Sequence, residues 1–372
     1  MKCRTCEANF STVASLELLD MPKAAQQLPS SPYDSGVHLG VYECPYCSLV
    51  QLDGEPVSYH KEVIRSSGFS EEMRVFREEQ LSKFVSDYKL KNKKVIEIGC
   101  GEGEYLDIIK KSIPLAWGID NSIHCVDENS DASRLVKGYI DSPHYKITDI
   151  DFDAFFCFNF MEHWPNPNLT LKGIYNNLTD GAVGLIEVPN LDMMMEKELF
   201  TEFIQDHLSY YTEETLRTTL ERNGFEVLEC KPIWYNYILS AVVRKRERTD
   251  FSHFHEKASK ISKEVNSFID SFHKVVVWGA GHQSFAALAL FDLKHRISYV
   301  VDSAPFKQGK FTPATGLYID SPEILYGDSM VDAIIIMAAS YSDGILQKIR
   351  DKFPNILDVA ILRDWGLEIN FA

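Results

Sequence analysis

A short apolar run that leads directly into three closely spaced glycines constrains the fold of this chain more than any other feature. Residues 94–98 predict a buried strand, Gly99, Gly101 and Gly103 follow it, and a helical stretch begins near Glu104. Glycines at this spacing let the backbone turn tightly and approach a ligand closely. The segment therefore predicts a strand–turn–helix unit of a parallel α/β sheet.

Strand-like and helix-length segments alternate around this unit. An amphipathic helix is predicted over residues 71–90, and a helix over residues 212–223 ends at Gly224. The alternation is typical of a parallel sheet covered on both faces and closed by an antiparallel pair. The predicted apolar face of the first helix consists of Met73, Phe76, Leu81, Phe84 and Val85. The other predicted strands cover residues 116–120, 154–159, 184–188, 225–230 and 237–243.

Two Cys-x-x-Cys pairs, Cys3 with Cys6 and Cys44 with Cys47, stand near the start of the chain. Each pair turns two thiolates toward one point, and four thiolates complete a closed tetrahedral zinc site. Full thiolate coordination leaves no position for a water ligand, so the predicted zinc is structural. The alternative is a set of buried or redox-active cysteines. The other cysteines are predicted to be core residues: Cys100, Cys125, Cys157 and Cys230.

The composition narrows the possible partners. A formal net charge of −16 repels phosphate backbones at long range, which argues against non-specific nucleic-acid binding. No apolar run approaches the roughly 18–20 residues of a membrane span, and the first residues lack the apolar segment of a secretory signal. We therefore expect a cytoplasmic protein that binds a small molecule and neither a membrane nor a nucleic acid.

These segments divide the chain into modules. We predict a zinc-binding module over residues 1–70 and a central α/β domain over residues 71–246. Residues 247–272 are polar with spaced apolar positions and predict a connecting helix. A second Rossmann-like α/β domain is predicted over residues 273–372. Its predicted strands cover residues 275–278, 297–302 and 333–337.

Two acidic residues accompany the glycines of the central domain. Glu97 lies in the strand before them, and Asp120 ends the next strand, where a carboxylate can accept both hydroxyls of a ribose. This glycine spacing with an upstream acid resembles class I methyltransferases more than NAD enzymes, and it predicts a site for S-adenosylmethionine. Asn159, at the end of the third predicted strand, is expected beside the methionine part of this donor. The alternative is a purely structural turn.

The chain as a whole resembles the three-domain sugar C-methyltransferases, which methylate carbon 3 of nucleotide-linked 4-keto-deoxy sugars. The likeness covers nearly the whole chain. It implies S-adenosylmethionine as donor, a nucleotide sugar as substrate, and a zinc segment that helps to shape the sugar pocket. The matching motifs are the two cysteine pairs, residues 65–67 (Arg-Ser-Ser), the glycine turn, residues 159–163, residues 188–190, residues 206–211, and residues 279–281 with Asp302 and Lys307.

The resemblance also implies a catalytic acid–histidine pair, Asp206 and His207. The proton on a carbon next to a ketone is acidic enough for a base tuned near neutrality, so His207 is the expected base and Asp206 its charge partner. His163 is expected to polarise the ketone oxygen, where negative charge develops. The chain has Asp206 where the family usually has Glu, and Ile204 where it often has Tyr.

The second α/β domain carries its own Gly279-Ala280-Gly281 turn. Asp302 lies about 20 residues further on, as the ribose acid of a dinucleotide site would, but Ser284 stands where the third glycine belongs. NAD binding is therefore one alternative. The resemblance implies instead a cofactor-free lobe that closes over the nucleotide sugar, with Lys307 and Lys310 either near its diphosphate or solvated.

Two further functions compete with C-methyl transfer. The same donor site is compatible with an O- or N-methyltransferase that acts on a nucleotide sugar or a related small molecule. A zinc-bearing module that binds the donor only as a sensed ligand is the alternative from another class. Such a sensor would bind S-adenosylmethionine without releasing S-adenosylhomocysteine when it is given sugar nucleotides.

Overall fold

The computed structural model describes residues 1–23, 30, 33, 35–61, 70–122 and 134–370. The chain divides into two compact units, Met1–Arg248 and Thr249–Ala372. The motif at residues 65–67 and the core assignment of Cys125 lie outside the described residues. Within the described ranges, no helix is both long enough and apolar enough to cross a membrane.

The first unit begins with a small antiparallel sheet. Its strands are β1 (Leu16–Met21), β2 (Val37–Glu43), β3 (Val50–Leu52) and β9 (Ser209–Tyr210), in that spatial order. The first three come from the N-terminal segment, but β9 comes from far along the chain and pairs with β3. Leu39 and Val41 of β2 are buried in one cluster with Met193 and Met194. The N-terminal segment thus shares both a sheet and a core with later residues of its unit.

A seven-stranded sheet forms the centre of the first unit. Its order is β10-β11-β8-β7-β4-β5-β6. All neighbours are parallel except β11, which is antiparallel to both β8 and β10. The parallel sheet and its closing antiparallel pair were predicted from the sequence and are confirmed. The strands are β4 (Val95–Ile98), β5 (Trp117–Asp120), β6 (Leu135–Lys137), β7 (Phe152–Phe158), β8 (Leu178–Pro189), β10 (Phe225–Ile233) and β11 (Ile238–Lys245).

Both faces of this sheet are buried. Side chains alternate along a strand, so Phe155 and Phe156 of β7 point to opposite faces, and each joins a different apolar cluster. Ser70 caps the first helix by accepting from the amide of Met73, and Asn166 caps the third by accepting from that of Leu169. The helices are α1 (Glu71–Asp87), α2 (Glu104–Ser112), α3 (Pro167–Tyr175), α4 (Leu191–Glu196) and α5 (Glu213–Arg222).

The buried face of α1 differs in one respect from the apolar face predicted for it. Arg77 lies on that face with no exposed surface and forms an ion pair with Glu187 of β8, which is equally buried. Its guanidinium also stacks on the rings of Tyr105 and Phe158, at 4.9 and 4.8 Å from their centroids. Apolar periodicity does not reveal a buried charge whose partner lies in a distant strand.

The second unit contains another α/β sheet, ordered β14-β15-β13-β12-β16-β17-β18. The inner five strands are parallel and both edge strands antiparallel. The helix predicted over residues 247–272 is present but shorter. The Rossmann-like assignment of the second domain and the limits predicted for all domains stay predictions. The elements are α6 (Ser252–Ile269), β12 (Val275–Trp278), α7 (His282–Leu290), β13 (Val300–Val301), β14 (Lys310–Phe311), β15 (Tyr318–Asp320), β16 (Ala333–Ile336), α8 (Ser342–Lys352), β17 (Asp358–Leu362) and β18 (Leu367–Asn370).

Candidate active site

The glycine turn follows β4 at the edge where the parallel strands of the central sheet end. Gly99, Gly101 and Gly103 all have positive φ angles, of 75°, 54° and 97°. A β-carbon on Gly99 would lie 2.3 Å from the ring of Phe160, so both its backbone angle and the close ring require glycine. Ligands bind at this edge in open α/β sheets.

Asp120, the last residue of β5, reaches the glycine turn. One carboxylate oxygen, Oδ2, accepts from the Gly101 amide at 3.1 Å. The other, Oδ1, accepts from the amide and the hydroxyl of Ser122 at 2.8 and 2.6 Å. Two of the predicted donor-site elements therefore meet. Contact between Asp120 and a donor ribose stays a prediction.

The other two predicted donor residues flank this turn on neighbouring strands. Glu97 is buried in β4, with 1% of its surface exposed. Asn159 follows β7 in the left-handed region, at a φ of 47°, and its amide donates to the carbonyl of Glu187 at 2.9 Å. Asparagine tolerates this conformation better than most residues. All the predicted donor-site residues thus lie at or next to the same sheet edge.

Glu162, His163 and His207 form a compact group, which we call the histidine cluster. One ligand atom from each lies within 4.8 Å of the others. The two imidazole rings pack edge to face, with centroids 4.9 Å apart at 73°. Glu162 Oε1 is 3.9 Å from His163 Nε2. The structure therefore brings His163 and His207 together across 44 positions of sequence, and it adds a carboxyl group that was not among the predicted site residues.

One hydrogen bond defines the tautomer of His163. Its Nδ1 lies 2.8 Å from the backbone carbonyl oxygen of Asp206. Because a carbonyl oxygen only accepts, Nδ1 carries the proton. In the neutral ring Nε2 therefore presents a lone pair, and this nitrogen is the one that faces Glu162.

Burial controls the protonation of the histidine cluster. It lowers the pKa of His207 well below its usual range, and the neighbouring His163 lowers it further. Burial also lowers the pKa of His163. The same cause raises the pKa of Glu162 to about 8, because the charged carboxylate is poorly solvated there. At neutral pH the cluster therefore holds two neutral imidazoles and a protonated carboxyl group.

Asp206 contributes its carbonyl to this arrangement, and its carboxylate binds a tyrosine of the N-terminal segment. Its side chain is 2% exposed, and Oδ2 accepts a hydrogen bond of 2.5 Å from the hydroxyl of Tyr59. The carboxyl group within reach of both histidines is that of Glu162. Ile204 has a tyrosine hydroxyl nearby, since its amide donates to Tyr210 Oη at 2.9 Å.

The small N-terminal sheet fixes the segment that carries Asp206 and His207. The amide of Leu52 donates to the carbonyl of Leu208 at 3.1 Å, and the amide of Leu208 donates to the carbonyl of Glu162 at 2.8 Å. Val50 pairs with Tyr210 in the same ladder. The backbone next to His207 is thus bound on one side to the N-terminal sheet and on the other to the turn that carries His163.

The four cysteines of the two Cys-x-x-Cys pairs converge. Their sulfur atoms lie within 4.8 Å of one another, with Cys3 to Cys47 at 3.5 Å and Cys6 to Cys44 at 3.6 Å. In a tetrahedral zinc site with Zn–S bonds of about 2.3 Å the sulfurs are roughly 3.8 Å apart. The donor set and its spacing fit a zinc ion. The remaining described cysteines, Cys100, Cys157 and Cys230, are buried, as predicted.

Residues between Cys3 and Cys6 attach this cluster of four cysteines to helices α3 and α5, which pack on the central sheet. Arg4 donates to the carbonyl of Pro165 at 2.9 Å, two residues after His163. Thr5 shares a hydroxyl hydrogen bond with Thr219 of α5 at 3.1 Å, and its carbonyl accepts from Asn168 at 2.8 Å. The cluster therefore lies against the segment that follows the histidine turn.

In the second unit, Asp302 meets the Gly279–Gly281 turn much as Asp120 meets its own. Its Oδ2 accepts from the amide of Ala280 at 2.7 Å and from Lys307 Nζ at 3.0 Å. A surface cavity of about 260 Å³ opens beside the turn. Lys307 is thus paired with Asp302, whereas Lys310 is exposed in β14.

Sequence reasoning missed two residues of this site. Glu162 had a local signal, since it stands directly before His163 in a motif already singled out. Tyr59 had none, because it lies 147 positions from Asp206 and in no recognised pattern.

Two family models match the chain. A model described as a methyltransferase domain covers residues 71–230, and one described as a C-methyltransferase C-terminal domain covers residues 242–355. Among curated proteins, the chain is similar to the C-methyltransferase NovU of Streptomyces niveus, at 21% identity over 294 residues, which is 70% of either chain.

Solved structures also resemble part of the chain. A methyltransferase from Clostridium acetobutylicum matches with a TM-score of 0.36 and 13% identity, covering 46% of this chain and 91% of its own. The plantazolicin methyltransferase BpumL, solved with a pentazolic desmethylPZN analog and SAH, matches with a TM-score of 0.37 and 20% identity, covering 47% of this chain and 87% of its own.

Proposed function

We propose that this chain, which is an S-adenosylmethionine-dependent methyltransferase of the class I α/β fold, methylates carbon 3 of a nucleotide-linked 4-keto-deoxy sugar. The observation that carries the proposal is the neutral, half-buried His207 beside His163, which lies in the turn after β7 at the sheet edge that bears the glycine turn. The similarity to a C-methyltransferase and the resemblance of the motifs support transfer to carbon on a sugar substrate.

The donor fits the residues at the sheet edge. Gly103 leaves room for a ligand against the backbone, since none of the described residues lies within 4 Å of a β-carbon placed on it. Asp120 would hold the ribose, and Glu97 and Asn159 would border the methionine part. When bound, S-adenosylmethionine supplies an electrophilic methyl group on its sulfonium.

His207 acts as the base in this proposal. Its buried Nδ1 has no hydrogen-bond partner among the described residues, so the ring is free to take up a proton. It removes the proton from carbon 3, and the electron pair moves toward the ketone oxygen to give an enolate. Carbon 3 then forms its new bond to the methyl group as the carbon–sulfur bond breaks, and His207 returns its proton to solvent.

The enolate oxygen needs a hydrogen-bond donor. Neutral His163 donates through Nδ1 to Asp206, so its Nε2 cannot polarise a ketone unless the ring is protonated, which burial opposes. Glu162 offers an alternative. Its carboxyl group is protonated at neutral pH, and its buried Oε2 has no hydrogen-bond partner in the described part of the chain. We therefore assign the donor role to Glu162 or to protonated His163.

We further propose that the four cysteines bind a structural zinc ion. The donor set is complete without water, so the ion stabilises the N-terminal sheet and takes no part in the chemistry. Its contribution to the site is indirect: the cysteine cluster contacts the segment after His163, and β3 contacts the segment after His207.

Replacement of the base tests the proposed reaction. His207→Asn should lower the rate of methyl transfer to 4-keto-deoxy sugar nucleotides by about 10²–10⁴-fold while both ligands still bind. His144→Asn, at an exposed position, is the matched control. With S-adenosylhomocysteine bound, the wild-type protein should exchange the carbon 3 proton with deuterated solvent, and the Asn variant should not.

The product distinguishes the competing functions. A C-methyl signal in NMR supports transfer to carbon, whereas a methyl group on oxygen or nitrogen would replace the proposal by its nearest alternative. Donor binding without release of S-adenosylhomocysteine, across sugars on several nucleotides, would indicate a sensor. Near-normal turnover of His207→Asn would show that another group is the base.

A further inference from the structure

The histidine cluster has the composition of a transition-metal site that is separate from the four cysteines. Two imidazoles and one carboxylate are the ligands of many sites for divalent zinc, iron, cobalt and nickel. The ligand atoms of Glu162, His163 and His207 already lie within 4.8 Å of one another. A tetrahedral ion with bonds of about 2.0–2.1 Å needs ligand atoms roughly 3.3 Å apart. The 3.9 Å between Glu162 Oε1 and His163 Nε2 would shorten by about 0.6 Å, which small side-chain rotations provide.

The surroundings of His163 support this composition independently. A metal-binding histidine typically donates its second ring N–H to a carbonyl or carboxylate, which fixes the tautomer and aims the other nitrogen. His163 makes this bond to the carbonyl of Asp206 at 2.8 Å, so its Nε2 lone pair faces Glu162. In addition, Glu162 Oε2 and His207 Nδ1 are buried polar atoms without a hydrogen-bond partner among the described residues. Such atoms are uncommon unless something outside the protein chain binds them.

We propose that Glu162, His163 and His207 bind one divalent transition-metal ion, such as Zn²⁺, and that the bound ion switches methyl transfer off. The switch rests on the proposed role of His207, but the binding does not. A ring nitrogen of His207 that coordinates the ion gives up its lone pair, and the other nitrogen keeps its hydrogen. The imidazole then has no site for the substrate proton. No electron is transferred, and removal of the ion restores the base.

Cobalt is a suitable probe, because its visible spectrum reports the ligands. Full-length protein with zinc in its cysteine site should take up one further Co²⁺ per chain, with the weak absorption of nitrogen and oxygen ligation and without an intense thiolate band. Zn²⁺ and Ni²⁺ should displace it, and Mg²⁺ should not, since Mg²⁺ prefers oxygen ligands. His163→Asn and Glu162→Gln should weaken cobalt binding at least about tenfold. His144→Asn should leave it unchanged.

Metal binding and the inhibition of methyl transfer are tested by separate measurements. Failure to bind one Co²⁺ per chain beside the zinc, a thiolate spectrum, or equal affinity in His163→Asn and wild type would overturn the metal site. A thermal unfolding measurement on each variant checks that lost binding does not reflect lost structure. His163→Cys, which supplies another metal ligand, should recover part of the affinity.

Co²⁺ should also slow methyl transfer reversibly, with recovery on chelation. Cobalt that binds without slowing the reaction would overturn the switch. If no sugar nucleotide is methylated at all, the proposed function fails while the titration still decides the metal site.

Discussion

The hydroxyl of Tyr59 donates a hydrogen bond of 2.5 Å to Oδ2 of Asp206, which lies 147 positions further along the chain. Tyr59 is 6% exposed and Asp206 is 2% exposed, so the bond is almost fully withdrawn from water. Because the backbone carbonyl of Asp206 accepts from His163, the same residue connects the N-terminal segment to the histidine cluster. A hydrogen bond to a buried carboxylate is worth more than one between neutral groups.

Tyr59→Phe should therefore destabilise the first unit. Loss of the donor leaves a buried carboxylate less well solvated, and we expect the free energy of unfolding to fall by about 1–3 kcal/mol. Urea unfolding measures this change, with Tyr341→Phe as an exposed control. Asp206→Asn and the double variant complete a mutant cycle, and purely additive losses would show that the two side chains do not interact.

Cys44→Ser should remove the structural zinc. One of four thiolates is lost, so the metal content per chain should drop by about one ion, and the thermal midpoint should fall because metal binding is coupled to folding. Elemental analysis and calorimetry check both results. Cys230→Ala, outside the cysteine cluster, should keep its metal. A wild-type protein that contains no metal and keeps its midpoint under chelation would contradict the zinc assignment.

Asp120→Ala should weaken the binding of S-adenosylmethionine without unfolding the chain. Two hydrogen bonds to the ribose from a charged acceptor account for roughly 1.5–3 kcal/mol, or about ten- to hundredfold in Kd. Isothermal titration calorimetry gives this value directly. The chain offers a matched control in Asp302→Ala, which removes the corresponding carboxylate from the second glycine turn and should leave the donor affinity unchanged. Equal affinities in both variants would exclude Asp120 as the ribose ligand.

The rate of methyl transfer should be constant around neutrality and fall on both sides. The base works when it is unprotonated, and burial lowers the pKa of His207, so the acid fall should lie well below about 6.5. If Glu162 donates to the enolate oxygen, the rate should also fall as the pH rises through about 8, where its carboxyl group ionises.

A pH profile of kcat in metal-free buffer tests both the acid fall and the alkaline fall of the rate. Glu162→Gln keeps a hydrogen-bond donor but does not titrate, so only the alkaline fall should disappear. A midpoint of the acid fall at or above 6.5 would contradict a base in the buried environment of His207. His163, Glu162 and Tyr210 lie close to this ring, and burial keeps each of them uncharged at neutral pH.

The sequence predicted the central sheet well because its signals are local. Val95–Ile98 are all buried and are apolar except for Glu97, and the glycines that follow have positive φ angles that few other residues adopt. Parallel topology then places the ends of β4 and β5 side by side, so the meeting of Asp120 with the glycine turn followed from strand order alone. Cysteine spacing predicted the convergence of four thiols in the same way.

Only the tertiary structure decided how the histidine cluster is built. Glu162 and His207 meet because the Leu208 backbone bonds to the Glu162 carbonyl and because β9 joins the N-terminal sheet, and neither contact has a periodic pattern in the sequence. The burial of Arg77 against Glu187 depends likewise on an ion pair between α1 and β8. Turns, strands and Cys-x-x-Cys pairs depend on neighbours within a few residues, so the sequence by itself determined them. The pairing of distant polar groups, and the burial that lowers the pKa of His207 and raises that of Glu162, exist only once the chain has packed.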